Sequence, residues 1–183
     1  MKKLLITANP SSHWFTHTIA HELEKLSKEK WDEVEILDLY TTDLKQDFLR
    51  YENKKDMAQD KITKAMQDKI LWADELVFIY PTRWWDVPAI MKNFLDCNFA
   101  AWFAFKYENG KAVWLLTGRT GRVITTTWWP WFLYKLLFHI QIFWNLNRIW
   151  YWGMKQKSFT VFGDMDRSKT DKTAYLPKLK NLV

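Results

Sequence analysis

The chain has 183 residues, enough for one domain with a full hydrophobic core, and its 48% hydrophobic and 26% charged residues are typical of a globular protein. A net charge of +6 permits an anionic partner. The lysines and arginines are dispersed, however, so we expect solvated faces rather than a nucleic-acid interface. The N-terminal apolar run is too short for a signal peptide, and the single Cys97 excludes an internal disulfide. These features predict a cytoplasmic protein.

Short apolar strands alternate with amphipathic helices along the chain. The strands are predicted at residues 3–8, 33–39, 75–80, 122–127 and 157–162, and the helices at 15–28, 54–72, 88–99 and 131–146, with a last helix expected beyond residue 168. This alternation predicts an α/β fold with a parallel sheet covered on both faces. Five strands favour a doubly wound, flavodoxin-like sheet with strand order 2-1-3-4-5, formed by a single domain over residues 1–183.

Sheets of this kind bind ligands beyond the carboxyl ends of their strands, at the point where the strand order reverses. Function is therefore expected in three loops, at residues 9–16, 81–88 and 127–134, which we call loops one, two and three. Loop one follows a strand and opens a helix. Its backbone N–H groups and its serine and threonine hydroxyls suit a phosphate, but the indole of Trp14 does not.

Loop two lies between Pro81 and Pro88 and carries two adjacent tryptophans, Trp84 and Trp85. Aromatic faces beside a switch-point crevice suit the stacking of a planar heterocycle. Taken alone, the same residues are equally typical of a surface loop packed onto the core.

Loop three belongs to the segment TTTWWPWFLY, and it carries the clearest resemblance. Together with P-x-x-W-aromatic-x-x-P-A at residues 81–89 and WFAFKY at residues 102–107, it resembles the flavodoxin-like NAD(P)H:quinone oxidoreductase family. The resemblance covers about residues 2–163. In that family the third motif carries glycines, and Trp128, Trp129 and Trp131 fall on three of them.

Tryptophan is unusually abundant and glycine unusually scarce. The chain has 13 tryptophans and 5 glycines, whereas average usage predicts about 13 glycines for this length. Against the family pattern, the tryptophans at apparent glycine positions are Trp14, Trp102, Trp114, Trp128, Trp129, Trp131 and Trp150. Those that suit their contexts as tryptophan are Trp31, Trp72, Trp84 and Trp144, and Trp85 suits either residue.

One hypothesis is that these tryptophans stand for UGA codons. A few bacterial lineages read UGA as glycine, whereas a commoner variant code reads it as tryptophan. Translation of such a gene with the second code would convert only the UGA glycines and leave the other glycines intact. Deliberate design and a naturally aromatic-rich variant are the alternatives.

The resemblance implies a bound flavin, either FAD or FMN, and hydride transfer from NAD(P)H through the flavin to a quinone or similar acceptor. It places Phe15 and Thr16 at the phosphate and ribityl end. Along the flavin ring and its polar edge it places Pro81, Thr82, Trp84, Trp85, Thr126, Thr127, Trp128 and Trp129. Tyr134 matches the family tyrosine that faces the acceptor. His139 lies one residue out of register with the family histidine, so it is either a proton donor or a packed core residue.

The helix predicted at residues 131–146 is apolar on nearly every side. One side is expected to cover the sheet, and the family resemblance implies that the other meets a second subunit in a homodimer. Lys135, His139 and Gln141 argue against a membrane span.

Two other possibilities follow from the sequence. His13, His17 and His21 have the spacing of one helix face, but no nearby cysteine or carboxylate completes a metal site, so none is expected. A protein of the same fold can also serve as the regulatory flavoprotein subunit of a potassium efflux system. That function would need a partner surface instead of a substrate pocket.

Overall fold

The centre of the molecule is a five-stranded parallel sheet with strand order β2-β1-β3-β6-β7. A computed structural model describes residues 1–52, 60–137, 152–165 and 171–183. The strands are β1 (Lys2–Thr7), β2 (Glu33–Asp38), β3 (Glu75–Pro81), β4 (Phe105–Glu108), β5 (Lys111–Trp114), β6 (Thr120–Thr126) and β7 (Lys155–Phe162). The described helices are α1 (Phe15–Glu29), α2 (Lys61–Trp72), α3 (Ala89–Asn98), α4 (Trp131–Leu137) and the short α5 (Leu176–Leu179).

The predicted fold is confirmed, because this order is 2-1-3-4-5 once the separate β4–β5 pair is set aside. The strand β3 is the middle one, and every one of its residues is buried. It pairs in parallel with β1 through Leu5 and Val77, and with β6 through Ile79 and Ile124. A strand buried on both faces reads as a continuous apolar run, which is why ELVFIY was recognisable in the sequence.

Alternate residues of the strands point to opposite faces of the sheet and belong to two hydrophobic cores, one on each face. Leu4 and Ile6 belong to the core that α2 and α3 cover. Leu5 and Val77 belong to the core that α1 and the C-terminal segment cover. This two-sided covering leaves the carboxyl edge of the sheet as the place where the connecting loops meet.

Helices α1, α3 and α4 begin within one residue of the predicted positions. Helix α2 begins at Lys61, where the carboxylate of Asp60 caps it by accepting from the backbone N–H of Thr63 at 2.6 Å. The prediction of a continuous helix over residues 54–72 is therefore corrected to one that begins at residue 61. Residues 53–59 lie outside the described residues, as do residues 138–146 of the helix predicted at 131–146. Within the described ranges, each helix is too short or too polar to traverse a bilayer.

Sequence analysis missed the antiparallel hairpin of β4 and β5, which lies outside the main sheet. Asn109 and Gly110 form its turn, with φ of 50° and 76°. An Asn-Gly pair between short strands is a strong hairpin signal, so this element was recoverable from the sequence.

Candidate functional site

The three loops converge at the carboxyl edge of β1, β3 and β6, as predicted. The backbone N–H of Thr82 in loop two donates to the Thr126 carbonyl at the end of β6, at 2.8 Å. The guanidinium of Arg83 lies 5.9 Å from the ring of Trp14, which joins loop two to loop one. In the sheet, β1 is flanked by β2 on one side and by β3 on the other, so the strand order reverses at β1. The loops therefore border the switch point of the sheet.

Loop one is held by its own polar groups. The Asn9 amide donates to the hydroxyl of Thr16 at 2.9 Å, and its carbonyl oxygen accepts from the backbone of Ser11 at 3.2 Å. The ring of His17 pairs with the Asn9 backbone carbonyl at 3.3 Å. Asn9 therefore holds this turn in place through its side chain and its backbone carbonyl. The sequence Asn-Pro-Ser-Ser predicted a turn here but not these contacts.

The start of α1 is suited to an anion. Trp14 is its N-cap residue and supplies no side-chain hydrogen bond, and the first turn contains no acidic residue. A helix N-terminus of this kind offers free N–H groups and a favourable dipole. Phe15 contributes only its backbone here, because its ring packs edge-on against Phe162 at 6.1 Å between centroids and against Tyr175 at 6.2 Å.

A chain of hydroxyl groups connects loop two with β6. The buried Thr125 hydroxyl donates to the Tyr80 carbonyl at 2.9 Å, and it lies 3.0 Å from the Thr82 hydroxyl. A carbonyl can only accept, so the Thr125 hydroxyl is the donor to Tyr80, and its oxygen lies within hydrogen-bonding distance of the Thr82 hydroxyl. Thr82 is in turn hydrogen-bonded to the Tyr134 side chain. Sequence analysis identified Thr82 and Tyr134 but missed Thr125.

Tyr134 lies on α4 with its side chain 1% exposed. Burial raises the pKa of its hydroxyl, the nearby Asp86 carboxylate raises it further, and the hydrogen bond with Thr82 partly opposes these effects. The phenol is therefore protonated at neutral pH. His139, the second candidate on this helix, lies outside the described residues.

Loop three has a firmly positioned backbone. The Thr127 N–H donates to the Phe162 carbonyl at 2.9 Å, and the Asp164 N–H donates to the Trp129 carbonyl at 3.1 Å. The side chains of Thr126 and Thr127 are buried, whereas Trp128 is 60% exposed. A Cβ atom added at Gly163 would lie 2.6 Å from the Trp129 carbonyl oxygen, so this close approach requires glycine.

The tryptophan side chains occupy the space between the loops. The rings of Trp85 and Trp129 lie 5.6 Å apart between centroids, inclined at 52°, in the interval between loops two and three where a flavin ring is expected. Trp14 stands at the phosphate turn with Arg83 over its ring. By contrast, Trp84 projects into solvent with 94% exposure. The indoles of Trp14, Trp85 and Trp129 therefore lie in the space where the family pattern would place the flavin.

Two other features bear on the choice of site. A cavity of about 360 Å³ lies beyond the end of β2, between the following loop and the helices α2 and α3. It lies on the β2 side of the sheet, and none of its lining residues belongs to loops one, two or three. Among the described residues, no group of three or more histidine, cysteine or acidic side chains could hold a metal ion.

Comparison with known proteins decides the family. A family model described as a flavodoxin-like fold matches residues 1–182. The chain belongs to this flavodoxin-like family. It is 31% identical over 175 residues to an uncharacterized NAD(P)H oxidoreductase of Haemophilus influenzae, covering 90% of this chain and 85% of that protein.

Two further proteins to which this chain is similar extend the comparison. An FMN-dependent NADH:quinone oxidoreductase of Metamycoplasma arthritidis is 29% identical over 136 residues, covering 69% of this chain and 68% of the relative. The crystal structure of Smu.1420 from Streptococcus mutans superposes with a TM-score of 0.83 and 26% identity, covering 100% of this chain and 98% of that one. The family resemblance read from the loop motifs is thereby confirmed.

Proposed function

We propose that this protein is a flavin-dependent NAD(P)H oxidoreductase that reduces a quinone or a similar acceptor. The observation that carries the proposal is the meeting of loops one, two and three at the switch point of a flavodoxin-like sheet. The named functions of the relatives from Haemophilus influenzae and Metamycoplasma arthritidis agree with it. A bound flavin would accept a hydride from NAD(P)H and deliver it to the acceptor.

FMN is the flavin we propose, because the Metamycoplasma arthritidis relative is FMN-dependent. Its phosphate would meet the uncapped start of α1, near Thr16. The ring would lie between loops two and three, beside the buried threonines Thr126 and Thr127 and below the prolyl end of β3 at Pro81. The backbone amides of loop three would then face the polar edge of the ring, where negative charge develops on reduction.

We propose a positioning role for Tyr134. Its hydrogen bond with Thr82 ties the phenol to the buried Thr125 hydroxyl and, through it, to the Tyr80 carbonyl at the end of the sheet. In this arrangement Tyr134 shapes the pocket floor beside loop two.

A homodimer is part of the proposal. Trp131, Phe132 and Leu136 on α4 are 51%, 54% and 69% exposed in the single chain, next to loop three. An apolar surface of this kind beside a substrate crevice is typical of a subunit interface. We propose a cytoplasmic location, which the presence of a single cysteine supports.

The function is tested by rapid-mixing reduction of the FMN-loaded protein that carries glycine at positions 14, 31, 85, 102, 114, 128, 129, 131 and 150. NADH should bleach the flavin absorbance under anaerobic conditions, and 1,4-benzoquinone should restore it in a second mixing step. The matched control is Thr18→Val, an exposed change on α1 that leaves the loops intact. If the flavin binds but neither NADH nor NADPH reduces it, the proposed oxidoreductase function is excluded. Binding without turnover would favour the regulatory-subunit alternative, which no present observation favours.

A further inference from the structure

Several tryptophans have a backbone conformation that tryptophan rarely adopts. Among the described residues, six non-glycine residues have positive φ: Trp31, Trp84, Trp85, Trp102, Asn109 and Asp164. Asparagine and aspartate are the residues that tolerate this conformation best after glycine. The four others are all tryptophan, a bulky residue for which positive φ is strained. We propose from the backbone conformation that glycine is the native residue at positions 31, 85 and 102.

Position 31 ends α1 in a Schellman motif. The N–H of residue 31 donates to the Lys28 carbonyl at 3.0 Å, and the N–H of Asp32 donates to the Ser27 carbonyl at 3.1 Å. This pair of hydrogen bonds requires a left-handed residue just beyond the helix, and Trp31 has φ of 64°. Glycine is the residue that proteins use there. The backbone at position 31 thus supports glycine, whereas the sequence alone favoured tryptophan there.

Position 85 is the second central residue of a two-residue turn. Arg83 and Asp86 exchange both backbone hydrogen bonds at 2.9 Å, which closes the turn. The central residues Trp84 and Trp85 have φ of 45° and 68°, the signs of a type I′ turn. Such turns prefer Asn-Gly and Asp-Gly, so the second position is the one that calls for glycine. The turn geometry therefore favours glycine at position 85, where the sequence pattern suited either tryptophan or glycine.

Position 102 begins the turn that leads into β4. Its N–H donates to the Phe105 carbonyl at 2.6 Å, and Trp102 has φ of 72°. The hairpin turn that follows β4 has the same sign of φ at Gly110, where the chain does carry glycine. Position 102 was also identified from the family pattern, so two independent observations agree there.

Burial does not compensate this strain. Trp31 is 93% exposed and Trp102 is 74% exposed, so neither indole has a hydrophobic contact that would repay a left-handed backbone. Two other tryptophans behave differently. Trp152 stacks on Phe99 with 3.9 Å between ring centroids, and Trp72 lies on α2 with the Lys2 ammonium 5.8 Å from its ring.

The direct test is the coding sequence together with the mass of the protein from its own cells. UGA is expected at codons 31, 85 and 102, and UGG at codons 72 and 152. Peptides that cover position 31 should carry glycine by tandem mass spectrometry. UGG at codons 31, 85 and 102, or tryptophan in the position-31 peptide, would overturn the proposal. Neither readout involves flavin or requires the recombinant chain to fold. The glycine proposal can therefore fail or hold independently of the proposed function.

A stability measurement tests the conformational argument separately. Trp31→Gly should raise the ratio of folded to unfolded protein roughly 5- to 30-fold, because it removes the Cβ from a left-handed residue. Trp31→Ala is the matched control, since it removes the indole but keeps the Cβ, and it should recover little of that gain. Trp72→Gly should lower the ratio. Equal effects of the glycine and alanine changes at position 31 would show that backbone strain is not the cause.

Discussion

Replacing Thr125 by valine removes the middle hydroxyl of the chain that links Tyr134 to the Tyr80 carbonyl, while the branched shape of the side chain is kept. The Thr125 hydroxyl is fully buried and takes part in two hydrogen bonds, of 2.9 Å to Tyr80 and 3.0 Å to Thr82. Each is worth about 1 kcal/mol net, and leaving buried partners unsatisfied adds to the loss. We expect the free energy of unfolding to fall by about 1–3 kcal/mol.

The assay is equilibrium urea denaturation at neutral pH, with Thr18→Val as the control. Thr18 is exposed on α1, so the control should stay within about 0.5 kcal/mol of the parent. Combining Thr125→Val with Tyr134→Phe should give less than the sum of the two single losses, because both changes interrupt one network. A Thr125→Val protein as stable as the control, or strict additivity with Tyr134→Phe, would refute the hydroxyl chain.

Three further predictions concern stability. In Gly163→Ala the new Cβ would meet the Trp129 carbonyl oxygen at 2.6 Å, so loop three must shift and urea denaturation should show a loss of about 1–3 kcal/mol; an unchanged midpoint would contradict this. Glu75→Ala leaves the buried guanidinium of Arg122 without its carboxylate, and a loss of about 3–5 kcal/mol is expected by the same assay, against little change in the surface variant Glu29→Ala. Burial raises the pKa of Tyr134 above its ordinary 10.0, so the native state keeps a proton that the unfolded chain loses. Stability should hold below about pH 10 and fall as pH rises through the raised pKa, and Tyr134→Phe should reduce that fall.

The strands and their order were predictable because their signals are local and repeated. A buried parallel strand such as ELVFIYP is a continuous apolar run, and its alternation with helices limits the topology to a few forms. The β4–β5 hairpin escaped because its strands have only four residues each and are half exposed. Its Asn-Gly turn was nevertheless visible in the sequence.

The sequence predicted which loops form the candidate site, but not the contacts between their side chains. The motifs identified loops one, two and three, yet the hydrogen bond between Thr82 and Thr125 joins residues 43 positions apart, one in loop two and the other on β6. No local pattern reports such a pairing. The backbone conformation of Trp31 was equally hidden, since a tryptophan beside acidic and basic residues looks like an ordinary surface position until φ is known.

The most direct test of the account is an FMN titration of two proteins compared side by side. One is the tryptophan-containing chain, and the other carries glycine at positions 14, 31, 85, 102, 114, 128, 129, 131 and 150. Flavin fluorescence and absorbance should show one tightly held FMN per chain in the glycine protein and none in the other, because an indole obstructs the backbone approach that glycine permits. Stoichiometric FMN on the tryptophan-containing chain would show that the indoles are compatible with the site. A folded glycine protein that fails to bind FMN would contradict the flavin site itself.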